Sequence, residues 1–268
     1  MLKQVSIDSL QLVAKLTQAD IEEIYNTIEF SQWKGNKSWK HCLYNKEEGY
    51  FVFFDPRMGT GLWLKSHYNI LVVMQHRAIR KKPALLRHLL ALGEWRVKRL
   101  DIAYDWSLPM SKHFILKPVN VKMKEMGNNN YYLYGQRNEI SVCMYDKKRE
   151  LAERKGIIIE DENMIRLELR IKPKIKNQRL LDDDFSWLKK HFDKIIFVPN
   201  GTTVIKSLER EKDKRIFRNV KRRRMQDWSG VDRQTRKRIR LAVKSNAVDL
   251  FELFQQHELH KDILWSAG

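Results

Sequence analysis

The sequence predicts an α+β fold: a largely antiparallel sheet with helices packed on one face, followed by a basic helical C-terminal region. Two kinds of pattern carry that expectation. Runs rich in β-branched and aromatic residues alternate in polarity, and helix-like segments are interspersed among them. The positive charge then gathers late in the chain. Lys206–Lys244 holds 16 Lys plus Arg against 5 Asp plus Glu, so about +11 of the formal +19 lies in that stretch.

The elements follow in order. Val5-Ser-Ile-Asp-Ser-Leu-Gln-Leu-Val-Ala reads as an opening strand, because apolar residues recur mostly at every second position. Tyr50-Phe-Val-Phe-Phe and Tyr68-Asn-Ile-Leu-Val-Val-Met read as two more. Pro83 to Gly93 reads as a helix, with Pro in its first turn and Gly near its end. Three further strands are expected at Val97–Asp105, Glu139–Tyr145 and Met164–Lys172, with a helix over Asp146–Arg154 leaving the second of them. About Arg210 to Trp265 reads as helical, broken near Ser229-Gly230 and Asn246, with Asp232 as an expected N-cap. The change in charge places a boundary between residues 1–205 and 206–268.

Composition narrows the function. A net charge of +19 on 268 residues attracts polyanions, with binding that weakens as salt rises. No apolar run approaches the roughly 20 residues of a spanning helix, and the N-terminus lacks the pattern of a secretory signal. The expected setting is therefore the cytoplasm, away from membranes. Cys42 and Cys143 fit neither a disulfide framework nor a Cys-x-x-Cys metal site. The expected partner is DNA or RNA.

Three strands carry chemistry on one parity. Arg99, Asp101, Ala103 and Asp105 share a face opposite Leu100, Ile102 and Tyr104. Arg166, Glu168 and Arg170 share another, opposite Ile165, Leu167, Leu169 and Ile171. Ser141, Cys143 and Tyr145 face away from Ile140, Val142 and Met144. If the strands are neighbours, Asp101, Asp105 and Glu168 supply hard oxygen ligands suited to Mg²⁺ or Mn²⁺. A tyrosine beside such a centre suits phosphodiester transfer. Lys147 and Lys148 could then offset the charge on the transferring phosphate. The alternative is plain: half-exposed strands ordinarily alternate polar residues, and Arg opposite a carboxylate is a common cross-strand pair.

At these residues the chain resembles rolling-circle replication initiators, the family of plasmid trans-acting initiation factors and filamentous-phage initiators. The resemblance rests on Arg-Leu-Asp-Ile-Ala-Tyr-Asp (99–105), Met-Tyr-Asp-Lys-Lys-Arg-Glu-Leu (144–151) and Ile-Arg-Leu-Glu-Leu-Arg-Ile (165–171), in that order. It covers residues 60 to 175 well, with a second echo in the basic tail from Leu208 through Gly230-Val-Asp-Arg-Gln-Thr-Arg-Lys-Arg-Ile-Arg. It implies a relaxase- or RRM-like nicking domain, and metal-dependent nicking and rejoining of origin DNA through a 5′-phosphotyrosine link. It also implies a single- and double-stranded origin as substrate and a helicase as partner. Carried over by position, Tyr145 is the nucleophile with Lys147 beside it, and Tyr132 is the rival, with Tyr131 and Tyr134 nearby. Asp101 and Glu168 become metal ligands, with Asp105 as a third candidate. The chain departs from many nickases in having no His-hydrophobe-His motif.

Arg99, Arg166 and Arg170 are candidate phosphate contacts or braces for the carboxylates. Lys221, Arg222, Arg223 and Arg224, then Arg233, Arg236, Lys237, Arg238 and Arg240, read as DNA-binding helix faces. Trp33, Trp39 and Trp63 suit either burial or base stacking. His257 and His260 are half of a metal signature at most. A non-catalytic DNA-binding repressor or accessory factor, or an RNA-binding protein, would explain the charge equally well.

Overall fold

Strands β1 (Leu2–Ala14), β2 (Gln32–Lys34), β3 (Trp39–Asn45), β4 (Tyr50–Pro56), β5 (Ile70–Gln75), β6 (Arg96–Trp106), β7 (Phe114–Leu116), β8 (Met123–Glu125), β9 (Tyr131–Leu133), β10 (Ile140–Asp146), β11 (Ile165–Ile171) and β12 (Ile196–Val198) build the sheets. The computed structural model describes residues 1–27, 32–34, 37–57, 68–117, 123–125, 131–133, 139–158, 163–174, 176, 178–181, 185–222, 226 and 228–263. Among them, a ten-stranded sheet runs in the order β2-β3-β4-β5-β1-β6-β11-β10-β9-β8, and β12 pairs with β7 in a second, two-stranded sheet. β1 with β5, β2 with β3, β3 with β4, β4 with β5, β8 with β9, β9 with β10, and β7 with β12 are all antiparallel. The helices are α1 (Gln18–Thr27), α2 (His76–Lys81), α3 (Ala84–Ala91), α4 (Lys147–Lys155), α5 (Lys189–Phe192), α6 (Gly201–Ser207), α7 (Glu211–Arg222), α8 (Arg233–Ser245), α9 (Leu250–Gln256) and α10 (Leu259–Ile263). The α+β class expected from the sequence is the one observed.

The chain forms two compact units, and β1, β6 and β11 contribute to both. The hairpin unit comprises Ser6–Ile102, Arg170–Ser186 and His257–Gly268. Its strands keep strict register: Leu12 lies opposite Val72, Val72 opposite Val52, and Val52 opposite Leu43. That row of β-branched and leucine side chains forms one apolar face. Tyr25 of α1 meets Phe54 and His41 at ring-centroid distances of 5.5 and 5.8 Å, which docks α1 on that face. α1 starts with a reciprocal cap: Asp20 N–H donates to Thr17 Oγ1 and Thr17 N–H donates to the Asp20 carboxylate. The opposite face holds a second cluster of Val13, Trp39, Cys42, Phe53 and Leu71. Trp39 is buried, so the burial reading holds for it; the Trp33 side chain and Trp63 lie outside the described residues.

The helical unit comprises Met1–Val5, Ala103–Leu169 and Trp187–Gln256. Here the boundary expected at 205/206 does not separate two bodies. Phe217 and Val220 of α7 and Ile239 and Val243 of α8 are buried with Phe114 and Leu116 of β7, Val198 of β12, Val204 of α6 and Leu208. Each such side chain withdrawn from water contributes about 1.5–3 kcal/mol. The charge shift at Lys206 marks only the outer face of amphipathic helices, whose inner stripes tie them to strands far upstream. α8 begins where expected, with the Asp232 carboxylate accepting from Thr235 N–H at 2.8 Å. That bond and the nearby Lys212 ammonium hold the Asp232 carboxyl at a pKa of about 2.

Candidate functional site

The strand order places β6, β11 and β10 side by side, as the polar-face reading requires. Within the helical unit, Arg166 on β11 grips Asp105 on β6 in a two-pronged ion pair, Nε to Oδ1 and Nη2 to Oδ2, both 2.7 Å. This contact establishes that the polar parities of the two strands share a face. The face is not open, however. Asp105 and Glu168 are each 4% exposed, and β6 is buried on both faces from Leu100 to Trp106. Local alternation reads such residues as wet because it cannot tell water from a neighbouring guanidinium.

The candidate metal ligands are divided. Asp101, 2% exposed, belongs to the hairpin unit, where Arg99 donates to both of its carboxylate oxygens, Nε to Oδ1 at 2.7 Å. Arg170 is half-buried at the end of β11 in the same unit, and burial together with Arg99 lowers the Lys172 pKa. Asp105 and Glu168 belong to the helical unit. Among the described residues, no three His, Cys, Asp or Glu side chains converge closely enough to hold a metal ion, and this includes His257 and His260. Asp101 and Asp105 are arranged as partners of arginines, and a cation would have to open those two pairs.

The tyrosines are better organised. β9 and β10 are antiparallel, with Tyr132 opposite Cys143 and Tyr131 opposite Met144. Tyr145, two residues beyond Cys143, therefore lies diagonally from Tyr132 on one face of the pair, while Tyr131 points to the other. Tyr134 lies outside the described residues. Asp146 caps α4 by accepting from Arg149 N–H at 3.0 Å, so Tyr145 sits at the turn from strand to helix. Lys147 opens that helix. Its ammonium stands 5.7 Å from the centre of the Tyr145 ring and donates to Glu150 at 2.6 Å, and its backbone N–H donates to Met164 O. Tyr145 is half-buried and Lys147 nearly buried, which fixes the ammonium beside the phenol. Glu150 is a site residue that the motif reading omitted; its i,i+3 spacing from Lys147 on the expected helix was the available signal.

The basic helices sort by exposure. Arg222, Arg233 and Lys237 are exposed, Lys221 and Arg240 are half-buried, and Arg223 and Arg224 lie outside the described residues. Arg236 is exposed but its Nη2 donates to the carbonyls of Trp228 and Val231 at 2.9 and 3.2 Å. Arg238, expected on the DNA surface, is turned inward: it donates to both oxygens of buried Asp213, at 2.7 and 3.0 Å, and to Thr235 Oγ1. The Arg238 hydrogen bonds lower the Asp213 pKa. In its place Arg215 and Arg218 of α7 are exposed with Arg222, at the i, i+3, i+7 spacing of one helix face.

No family model and no curated protein matches the chain. A solved rolling-circle replication initiator protein from Geobacillus stearothermophilus is similar over 65% of this chain and 76% of that one, at 15% identity and a TM-score of 0.40. Among the described residues, no helix is long and apolar enough to cross a membrane.

Proposed function

We propose that this chain is a rolling-circle replication initiator that nicks and rejoins origin DNA. The observation that supports the reading best is the pair Tyr132 and Tyr145, diagonal on one face of β9 and β10, with the Lys147 ammonium fixed over the Tyr145 ring. In this reading the Tyr145 phenol oxygen loses its proton and attacks the scissile phosphorus. The Tyr–O–P bond forms as the P–O3′ bond breaks, and the departing 3′ oxygen takes up a proton. Rejoining reverses each step. An ordinary phenol ionises near pH 10. The Lys147 ammonium, held by Glu150 over the Tyr145 ring, would offset charge on the phosphorane. Exposed arginines of α7 and α8 hold the flanking duplex through its phosphates, and a helicase would unwind the duplex from the nick.

The reading asks for Mg²⁺ or Mn²⁺, with oxygens drawn from Glu168 and from Asp105 once the cation displaces Arg166; Asp101, paired with Arg99 in the hairpin unit, is tested by its own Asn variant. The test incubates the purified chain with supercoiled and single-stranded DNA of its own replicon, with Mn²⁺ or with a chelator. The expected result is a covalent protein–DNA adduct that Tyr145→Phe abolishes. An adduct that survives Tyr145→Phe and vanishes in Tyr132→Phe moves the nucleophile by one strand. No adduct with any of these DNAs overturns the reading.

A second reading, a single-strand-binding platform without cleavage, is favoured by one feature of the hairpin unit. Half-buried Tyr44 and Phe51 stack at 4.3 Å, backed by buried Phe53 at 6.0 Å from Phe51, an aromatic pair on which bases of RNA or DNA could lie. Retained single-strand binding with no adduct selects it.

A further inference from the structure

A cavity of about 430 Å³ in the helical unit lies away from the Tyr145 face. It is lined by Met110, Ser111, His113, Tyr131, Ile205, Arg218, Lys221 and Arg222, and its size falls within the range of small-ligand sites. Its walls differ in chemistry. α7 supplies Arg218 and, one turn on, the adjacent Lys221 and Arg222, and among the described residues no acidic side chain lines the cavity. Facing them are Tyr131 of β9 and the His113 ring, 6.3 Å apart in an edge-on arrangement, with Met110 and Ile205 adding apolar surface.

Two details define the opposing walls, one at Lys221 and one at His113. The Lys221 ammonium donates to Lys112 O at 3.0 Å, and a Cβ at Gly201 would stand 3.0 Å from that nitrogen, so a side chain there would push the lysine tip aside. His113 is 8% exposed, and its Nδ1 has no hydrogen-bond partner among the described residues. Burial and Lys221 push its pKa down to about 3, so the ring is neutral at ordinary pH. A neutral aromatic wall opposite uncompensated positive charge is complementary to a ligand with a flat ring at one end and a phosphate at the other.

We infer that this cavity binds one unstacked nucleotide, its base against Tyr131 and His113 and its phosphate on Arg218, Lys221 and Arg222. A bare phosphate would leave the aromatic and apolar walls without a partner, and a nucleoside would leave the cations without one. The nucleotide is either free or an unpaired residue of a strand. The inference does not depend on Tyr145 cutting DNA, since the adduct experiment reads a different face of β9 and β10.

Calorimetric titration of the full chain with dAMP, adenosine and inorganic phosphate tests it. dAMP is expected to saturate one site, with adenosine and phosphate each weaker. Arg222→Ala removes a charged phosphate contact and weakens dAMP by about tenfold or more, while Arg215→Ala, on the same helix but outside the cavity, leaves it unchanged. Tyr131→Leu weakens dAMP and adenosine together. If dAMP displaces a bound single strand of twelve deoxyadenosines, the natural occupant is an unpaired base of a strand; if both bind at once, it is a free nucleotide. No saturable dAMP binding at millimolar concentration overturns the inference, as does an Arg215→Ala loss equal to that of Arg222→Ala, which would indicate diffuse charge attraction.

Discussion

The arginines of β11 and those of α7 face opposite fates, although each lies on a regular element at the spacing its geometry dictates. Arg166 is 11% exposed and committed to Asp105, whereas Arg215, Arg218 and Arg222 make no ion pair among the described residues. The difference shows that what an arginine does follows from what surrounds it. A buried arginine needs a carboxylate to offset its desolvation, and once paired it offers little to a phosphate. An exposed arginine is weakly engaged and can exchange counterions for a nucleic acid.

The largest way to break this comparison is Arg166→Ala. It leaves Asp105 buried beside an apolar gap and should lower unfolding stability by about 3–5 kcal/mol in denaturant titration. A loss under about 1 kcal/mol would place Arg166 with the surface set. Next comes pH. Folding lowers the His113 pKa from 6.5 to about 3, so the unfolded chain takes up the proton first. Stability is therefore full above pH 6.5 and falls as pH drops toward 3, by up to about 1.4 kcal/mol per pH unit from this ring. His191, lowered to about 4 by burial and by Lys194 and Lys190, acts in the same direction. His113→Leu should flatten the slope over that range.

Asp232→Ala should cost about 1 kcal/mol by removing the cap of α8. The smallest stability effect is expected from exposed cations. Arg233→Ala combined with Lys237→Ala should change stability by less than about 0.5 kcal/mol per site. The same pair should reduce the salt slope of duplex binding by about 0.9 for each phosphate that the protein no longer neutralises. Unchanged salt dependence would remove α8 from the DNA surface.

The long, strongly alternating strands were legible in the sequence: β6, β10 and β11 begin and end within about two residues of expectation, because inward-facing apolar residues repeat at the strand period. The three-residue strands β2, β7, β8, β9 and β12 were not, since so short a run shows no period. The candidate site was half visible. Tyr145, Lys147 and the neighbouring strands were readable from motif order. That Asp101 and Asp105 answer to arginines was readable as the bracing alternative, but alternation could not choose it over an open metal-binding face, because it places a residue on a face without saying what covers it. Arg238 misled for a related reason: its partner Asp213 lies 25 residues away on another helix. The nucleotide cavity has no linear signature, since β9, the segment around His113 and α7 meet only in the folded unit.

The Tyr104 hydroxyl, deep in β6, donates to Leu250 O at 2.7 Å across 146 residues of chain. The same helical unit also includes Met1–Val5. On a ribosome, the strands of this unit emerge well before α9 can cover them, and long-range closures of this kind form slowly. The Tyr104 end of β6 thus waits uncovered until α9 is translated. Nascent-chain chaperones would be of most use to this protein in that interval, and truncation before Leu250 should leave an insoluble fragment even though every strand of the large sheet is already made.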